Sequence, residues 1–366
     1  MRTLVPAHIA ALQPYQPGKP IEEVERELGI AEAVKLASNE NPLGPSPKAW
    51  EAARRALGEV HRYPDGGAYY LRHALAERLG VGPDEVVVGN GSNDVLVLLT
   101  QALMTPDDEA VVGDPAFVVY RLAVQAMGAR VVAVPLADFT HDLPAMAQAV
   151  TERTRLLFVA NPNNPTGTMV TAEAVEALLA EVPDHVVVVM DEAYVEYIDR
   201  EDFPDCLAAV RAGRPVVVYR TFSKIYGLAG LRVGYAVAPK SLVAAINQIR
   251  APFNVNRVGQ AAALAALDDD AHVRTSQEVN RVGLAHLTAG LAALGVAYVP
   301  SVANFLLVEV GDGRAAYEAL LRQGVVVRPM GGYGLAPYVR VTVGTAEENT
   351  RFLEALKAWR ATGGAA

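Results

Sequence analysis

The sequence predicts an α/β protein with a large lobe, built on a mostly parallel sheet flanked by helices, and a smaller α+β lobe. Short β-branched runs alternate with amphipathic stretches through the middle of the chain, as in parallel strands joined by crossover helices. From about residue 250 the pattern changes to long alanine-rich helices followed by separate strand-like runs. The 366 residues, 51% of them hydrophobic, suffice for more than one core.

The large lobe shows its elements most clearly. Its predicted strands are 86–89, 109–113, 130–134, 155–160, 185–190 and 215–220. Apolar residues recur at three- and four-residue spacing in the predicted helices 94–104, 116–128 and 171–182. Ser46 followed by Pro47 predicts the start of another helix. Strand-like runs at 304–310 and 338–343 and a final helix complete the smaller lobe.

These patterns divide the chain into three expected segments. They are an arm of residues 1–30, a large lobe of residues 31–250 and a small lobe of residues 251–366. Prolines at 6, 14, 17 and 20 prevent a continuous helix in the arm. We therefore expect the arm to pack against another part of the structure, including the small lobe.

Composition excludes several classes of function. The net charge of -9 argues against a sequence-independent grip on nucleic acid, which requires a basic surface. The longest aliphatic runs are far shorter than the roughly 20 residues of a membrane-spanning helix, and the first 20 residues do not form a convincing export signal. Cys206 is the only cysteine, so no intrachain disulfide can form, and we expect a reducing cytoplasm.

The stretch "TFSKIYGLAGLRVG", residues 221–234, carries the strongest chemical signal. A lone lysine after a strand is usually a solvated surface charge. Lys224, however, stands beside Thr221 and Ser223, and Arg232 follows eight residues later. Hydroxyls and a guanidinium suit a phosphate, and a lysine attacks a carbonyl once its amine is partly neutral. The cluster therefore predicts a phosphorylated aldehyde as the ligand of Lys224.

Two further motifs place polar groups at strand ends. "VVVGNGSNDVLVLL" is a strand, a glycine turn and a helix start, with Ser92 and Asn93 where free N–H groups attract an anion. In "VVVVMDEAYVEY", Asp191 follows five apolar residues, where a carboxylate requires a cation or a donor. A pyridinium nitrogen is such a partner. A helix cap is the alternative, and a metal is not expected because no histidine or cysteine cluster accompanies Asp191.

Two more candidates follow neighbouring strands. In "ANPNNPTGT", Asn164 offers an amide donor to a ring oxygen. Phe117, in "GDPAFVVY", is placed either to stack on an aromatic ring or to pack in the core. Open α/β sheets bind ligands at the carboxyl ends of their strands, so we expect all these groups to meet at one edge.

The chain resembles the pyridoxal-phosphate (PLP) enzymes of the aspartate aminotransferase fold, fold type I, and within them the histidinol-phosphate aminotransferases. The resemblance spans nearly the full length and includes the segments "PYQPGKPIEEVERELGI", "KLASNENPLGPSP", "RYPD", "NPNNPTG", "DEAY", "TFSKIYGLAGLRVG" and "GYGLAPYVRVTVGT". It implies PLP as cofactor, transamination as the reaction, and a homodimer with shared active sites.

The resemblance also implies roles for individual residues. Lys224 is the Schiff-base lysine, Asp191 the partner of the pyridine nitrogen, and Phe117 the stacking ring. The ring hydroxyl is bound by Asn164 and Tyr194, and the phosphate by Ser92, Asn93, Thr221, Ser223 and Arg232, with Tyr63 reaching the phosphate of the neighbouring subunit. Arg340 grips the anionic group of the substrate, assisted by Arg328 and Tyr15.

The sequence departs from the family pattern at two places. Relatives often have tyrosine in place of Phe117, and many have an acidic pair where the phosphate loop here reads "GSND".

Several alternative functions are compatible with the sequence. An aromatic amino-acid aminotransferase is the close alternative, because an arginine pair holds a carboxylate as well as a phosphate ester. A phosphothreonine decarboxylase is another. A non-catalytic regulator would require a nucleic-acid-binding module, for which there is no basic helix-turn-helix segment.

Overall fold

The computed structural model describes residues 4–15, 18–30 and 32–364. Pro17, one of the four arm prolines, lies outside these ranges. The strands are β1 Val34–Lys35, β2 Val86–Gly89, β3 Glu109–Asp114, β4 Arg130–Pro135, β5 Thr154–Ala160, β6 Val187–Asp191, β7 Val216–Thr221, β8 Gly234–Val237, β9 Tyr298–Val299, β10 Phe305–Glu309, β11 Val325–Val326, β12 Arg328–Pro329 and β13 Tyr338–Thr342.

The predicted helices 94–104, 116–128 and 171–182 are observed with shifted ends. The helices of the structure are α1 Ala7–Ala10, α2 Ile21–Leu28, α3 Pro47–Ala56, α4 Tyr69–Leu79, α5 Ser92–Leu103, α6 Val119–Ala126, α7 Leu143–Gln148, α8 Ala172–Glu181, α9 Cys206–Arg211, α10 Lys240–Ile249, α11 Arg257–Leu267, α12 Asp270–Ala293, α13 Gly313–Leu321 and α14 Ala346–Ala361. Ser46 caps α3 as predicted, its hydroxyl accepting a 3.1 Å hydrogen bond from the Ala49 amide. None of the helices in the described ranges is long and apolar enough to cross a bilayer.

The large lobe is built on a mixed sheet with strand order β2-β8-β7-β6-β5-β3-β4 in the described part of the chain. β8 runs antiparallel to β2 and β7, and the other strand pairs are parallel. Adjacent residues of β5 enter opposite cores, Leu157 on one face and Phe158 on the other. Helices therefore cover both faces, which is why these strands are continuous apolar runs in the sequence.

The small lobe has an antiparallel sheet of strand order β12-β13-β10-β9. Leu306, Val341, Phe352 and Leu356 belong to its core, where α14 packs on the sheet. The long helix α12 links the lobes: Ser276 near its start bonds Asn41, whereas Leu287 lies in the small-lobe core.

The arm packs on its own chain. Val24 of α2 is buried against Ala37 and Val326, and β1 pairs in parallel with β11 of the small lobe. α1 contacts α6 of the large lobe. Segment 34–39 consequently runs from the small lobe toward the sheet edge where the predicted site lies. The limits of the lobes at residues 30 and 250 stay a prediction.

Candidate active site

Lys224 lies just beyond the carboxyl end of β7. Its Nζ donates a 3.2 Å hydrogen bond to the carbonyl of Ser38 and lies 5.6 Å from the centroid of the Tyr194 ring. Burial lowers the pKa of this amine to about 8, and the positive charges of Arg340 and Arg232 contribute in the same direction. A useful fraction of the amine is therefore neutral and nucleophilic near neutral pH.

Asp191 is the last residue of β6, the position predicted from the apolar run before it. Its Oδ2 accepts a 2.6 Å hydrogen bond from the Tyr120 hydroxyl, and its Oδ1 accepts one of 3.2 Å from the Ala193 amide. The residue is only 9% exposed, and burial raises the pKa of its carboxyl. Within the described ranges no ion pair engages this carboxylate, so a cationic ligand group would stabilise it.

The start of α5 has the geometry expected of an anion-binding turn. Gly91, with φ of 84°, immediately precedes Ser92 and Asn93 in the first turn of the helix. A Cβ at Gly91 would lie 2.5 Å from Nη2 of Arg232, so only glycine permits this close approach. The buried Oδ1 of Asn93 has no hydrogen-bond partner within the described residues. Backbone amides, polar side chains and a guanidinium thus converge on one spot.

The loop after β7 supplies the other groups at this end. Arg232 Nη1 lies 3.5 Å from the Ser223 hydroxyl, and the Ser223 amide donates to Thr221 Oγ1 at 3.1 Å. Arg232 itself adopts a left-handed backbone conformation, with φ of 57°. The Thr221, Ser223 and Arg232 cluster predicted from the sequence is therefore formed in the structure.

Asn164 and Tyr194 flank the cavity on the side of the small lobe. The Tyr194 hydroxyl accepts a 2.9 Å hydrogen bond from Asn39 Nδ2, and burial raises the pKa of Tyr194 to about 12. Tyr194 therefore keeps its proton and can donate it to a ligand oxygen. Asn164 Oδ1 accepts a bond from Arg340, so the amide nitrogen of Asn164 is directed away from that arginine.

Arg340 joins the two lobes and is itself buried. Its Nη1 donates to Asn164 Oδ1 at 2.5 Å, and its Nη2 donates to the carbonyl of Ala37 at 2.8 Å. The buried Nε has no protein partner in the described part of the chain, and is thus available to an anion. Arg328 is the cross-strand neighbour of Arg340, and its guanidinium lies 5.3 Å from the centroid of the Tyr15 ring.

These groups surround a cavity of about 530 Å³. Among the predicted residues, those that line it are Tyr15, Ser92, Asn93, Phe117, Asn164, Asp191, Tyr194, Thr221, Ser223, Lys224 and Arg232. Arg340 and Arg328 stand behind this lining through their contacts with Asn164 and Tyr15. Tyr63 is not part of it: the residue is 78% exposed, and its ring stacks on Phe253 at 4.7 Å between centroids.

Among the side chains that make hydrogen bonds in the site, Tyr120 and Asn39 were not predicted from the sequence. Tyr120 also lines the cavity, but in the sequence it looks like one more core residue of an apolar helix. Asn39 orients the Tyr194 hydroxyl from segment 34–39, and its amide and side chain both bond Thr342 of β13. The only available signal for Asn39 was its place in the quoted stretch "KLASNENPLGPSP".

Comparison with known sequences decides the family. The sequence profile described as "Aminotransferase class I and II" matches residues 31–356. The chain belongs to the class I and II aminotransferases.

This aminotransferase has close relatives among curated proteins. It is 51% identical over 351 residues to the histidinol-phosphate aminotransferase of Moorella thermoacetica, covering 95% of this chain and 91% of the relative. It is also 51% identical over 355 residues to histidinol-phosphate aminotransferase 1 of Nitrosococcus oceani, covering 97% and 96% of the two chains.

Solved structures confirm the predicted fold class. Histidinol-phosphate aminotransferase from Sinorhizobium meliloti, in complex with pyridoxal-5'-phosphate, superposes with a TM-score of 0.91 at 30% identity and covers 99% of both chains. A double mutant of Thermus thermophilus aspartate aminotransferase gives 0.85 at 30% identity, covering 98% of this aminotransferase and 100% of that chain. The fold is therefore that of the PLP-dependent transferases of fold type I, with a large, mostly parallel sheet and a smaller α+β lobe.

Proposed function

We propose that this aminotransferase is a PLP-dependent histidinol-phosphate aminotransferase of histidine biosynthesis. It transfers the amino group of L-histidinol phosphate to 2-oxoglutarate, giving imidazole acetol phosphate and glutamate. The observation that carries the chemistry is that Lys224, Asp191 and an anion-binding turn share one cavity. The substrate is proposed from the named relatives, each 51% identical over nearly the whole chain.

The residues of the cavity fit PLP. The 5'-phosphate suits the turn at Ser92 and Asn93, where α5 begins with free backbone N–H groups and Arg232 approaches Gly91. The buried carboxylate of Asp191 suits a protonated pyridine nitrogen, and the donors of Asn164 and Tyr194 suit the ring hydroxyl. When bound, PLP supplies an electron sink that acidifies the Cα–H bond of an attached amine.

Lys224 is the proposed proton carrier as well as the nucleophile. A buried amine with a pKa of about 8 is neutral often enough to accept a proton at Nζ and returns it readily. The Ser38 carbonyl and the nearby face of Tyr194 limit the positions that Nζ takes up. The ionised Asp191 favours positive charge opposite to it, and Phe117 provides an apolar surface for the ring.

The substrate's anionic group is proposed to bind at Arg340. Its Nε is buried and unpartnered within the described residues, and its two terminal nitrogens are held in place by Asn164 and Ala37. Arg328 lies directly opposite on β12, with Tyr15 against its guanidinium. Two neighbouring guanidinium groups suit a phosphate ester, and the same groups also hold the carboxylate of the second substrate.

We also propose a homodimer in which Tyr63 reaches the phosphate site of the neighbouring subunit. Tyr63 does not line the cavity of its own chain, yet it lies on the surface beside Phe253, which is 44% exposed. Exposed stacked aromatic rings are typical of residues that become buried in an interface. A reducing cytoplasm is the compartment we propose, since the single Cys206 forms no intrachain disulfide.

Substrate choice is tested by measuring kcat/KM for L-histidinol phosphate and for L-phenylalanine with the PLP-loaded protein, with 2-oxoglutarate as acceptor. We expect L-histidinol phosphate to be preferred by about 100-fold or more, because the pocket pairs cationic groups with a phosphate. A preference for phenylalanine would instead identify an aromatic amino-acid aminotransferase. The absence of turnover with either amine would contradict both assignments.

A further inference from the structure

We infer that Tyr120 is a positioning residue for the reaction: its hydroxyl holds the Asp191 carboxylate ionised and correctly oriented toward the cofactor ring. This inference rests on the proposed role of Asp191. The sequence marks Tyr120 only as apolar core, whereas the structure places its hydroxyl in direct contact with Asp191.

The hydrogen bond between Tyr120 and Asp191 is short and lies between two buried residues. The hydroxyl donates to Oδ2 at 2.6 Å, the Tyr120 side chain is fully buried, and Asp191 is nearly so. Burial and the neighbouring carboxylate raise the pKa of Tyr120 far above its ordinary value, so the phenol always carries its proton. A permanent donor to a buried carboxylate favours the ionised form, against the burial that favours the neutral one.

The Tyr120 ring is fixed on both sides. It stacks on Phe158 of β5, with 4.9 Å between centroids and 13° between planes. Its edge meets Phe117, three residues earlier, at 5.7 Å. Tyr120 therefore also connects the residue proposed to stack on the cofactor ring with the residue proposed to pair with its nitrogen. A hydroxyl held this firmly defines the direction of the carboxylate.

The bond leaves Asp191 able to bind a ligand. Two hydrogen bonds reach this carboxylate from the described part of the chain, one on each oxygen, from Tyr120 and from the Ala193 amide. Each oxygen of a carboxylate has a second acceptor site. A protonated ring nitrogen can therefore bind Asp191 while both protein contacts persist.

The test is a double-mutant cycle on PLP affinity, measured by adding PLP to the apoprotein and following absorbance. Tyr120→Phe removes one oxygen and keeps the ring, and we expect it to raise the PLP dissociation constant about tenfold. In an Asp191→Asn background, where the side chain is uncharged, Tyr120→Phe should raise the PLP dissociation constant by less than about threefold. In the Asp191 form, kcat should fall while KM for the amine stays within about twofold.

Tyr219→Phe is the matched control. Tyr219 is equally buried and lies beside Asp191 on β7, but its hydroxyl donates to the Val95 carbonyl instead. We expect its PLP affinity to equal that of the wild type. Equal effects of Tyr120→Phe in the two Asp191 backgrounds, or no effect in either, would overturn the inference. If Asp191→Asn alone leaves PLP affinity and turnover unchanged, the proposed role of Asp191 fails as well.

Discussion

Arg340 of β13 donates a 2.5 Å hydrogen bond to Asn164, which follows β5 in the other lobe. One contact thus ties the proposed anion-binding arginine to the amide proposed to bind the cofactor's ring hydroxyl. Through this contact we expect substrate binding at Arg340 and orientation of the ring to be coupled. The guanidinium is also fixed by the Ala37 carbonyl, which leaves Arg340 a single well-defined geometry.

Replacing Arg340 with lysine should reduce kcat/KM for L-histidinol phosphate by about 100-fold. An ammonium lacks the planar fork that binds an anion bidentately, and it also loses the contacts with Asn164 and Ala37. The PLP dissociation constant should change far less, by about threefold, because Arg340 reaches the cofactor only through Asn164 and does not contact the phosphate end. Arg281→Lys is the control, since Arg281 forms an exposed ion pair with Glu278. Equal kinetics for the two variants would remove Arg340 from substrate binding.

The pH dependence of Lys224 reactivity follows from its lowered pKa. Its neutral fraction rises as pH increases, reaches one half at the pKa of about 8 and is nearly complete more than one pH unit above it. The rate at which the apoprotein takes up PLP should therefore increase from about pH 6 through pH 8 and level off above about pH 9. Lys240, which is exposed and paired with Asp84, should react with an amine reagent only at much higher pH. A Lys224 rate that is still rising steeply at pH 10 would contradict a depressed pKa.

The close approach of Gly91 and Arg232 gives a prediction about the phosphate site. Gly91→Ala would place a Cβ 2.5 Å from Arg232 Nη2 and force a residue with φ of 84° to carry a side chain. We expect the PLP dissociation constant to rise about 10- to 100-fold, because the guanidinium must move away from the phosphate. Gly230→Ala is the control: it lies two residues before Arg232, has open space at its Cβ position, and should bind PLP normally. An unchanged affinity in the Gly91 variant would show that Arg232 does not hold the phosphate.

Shared active sites can be tested by mixing two impaired variants. Lys224→Ala removes the nucleophile from its own site, and Tyr63→Ala is proposed to damage the neighbouring one. A hybrid dimer of the two would contain one intact site and one doubly altered site. Random assortment makes about half of the dimers hybrid, so the mixture should recover about a quarter of wild-type activity. If the activity of the mixture equals the average of the two separate variants, Tyr63 acts within its own subunit or not at all.

Most of the large sheet was predictable because buried parallel strands leave aliphatic runs in the sequence. β6 contains Val187–Asp191, so both its type and the carboxylate at its end could be read directly. β8, Gly234–Val237, was not predicted, because a four-residue antiparallel strand beginning with glycine has no such run. The predicted helix 116–128 is observed only as Val119–Ala126, with Phe117 in the turn before it.

The groups around Lys224 were predictable to the extent that motifs place them at strand ends. What could not be read is which side chains orient them. Tyr120 bonds Asp191, which is 71 positions away in the sequence, and Asn39 bonds Tyr194, which is 155 positions away. No local sequence pattern encodes such contacts. The same holds for the left-handed conformation of Arg232, which depends on the surrounding fold.

The central claim is that Lys224 forms the covalent link to PLP. It is tested most directly by reducing the PLP-loaded protein with borohydride, digesting it and locating the pyridoxyl group by mass spectrometry. We predict one modified lysine, Lys224, with no label after the Lys224→Ala substitution. A label on a different lysine, or a loaded protein that borohydride leaves unmodified, would contradict the account.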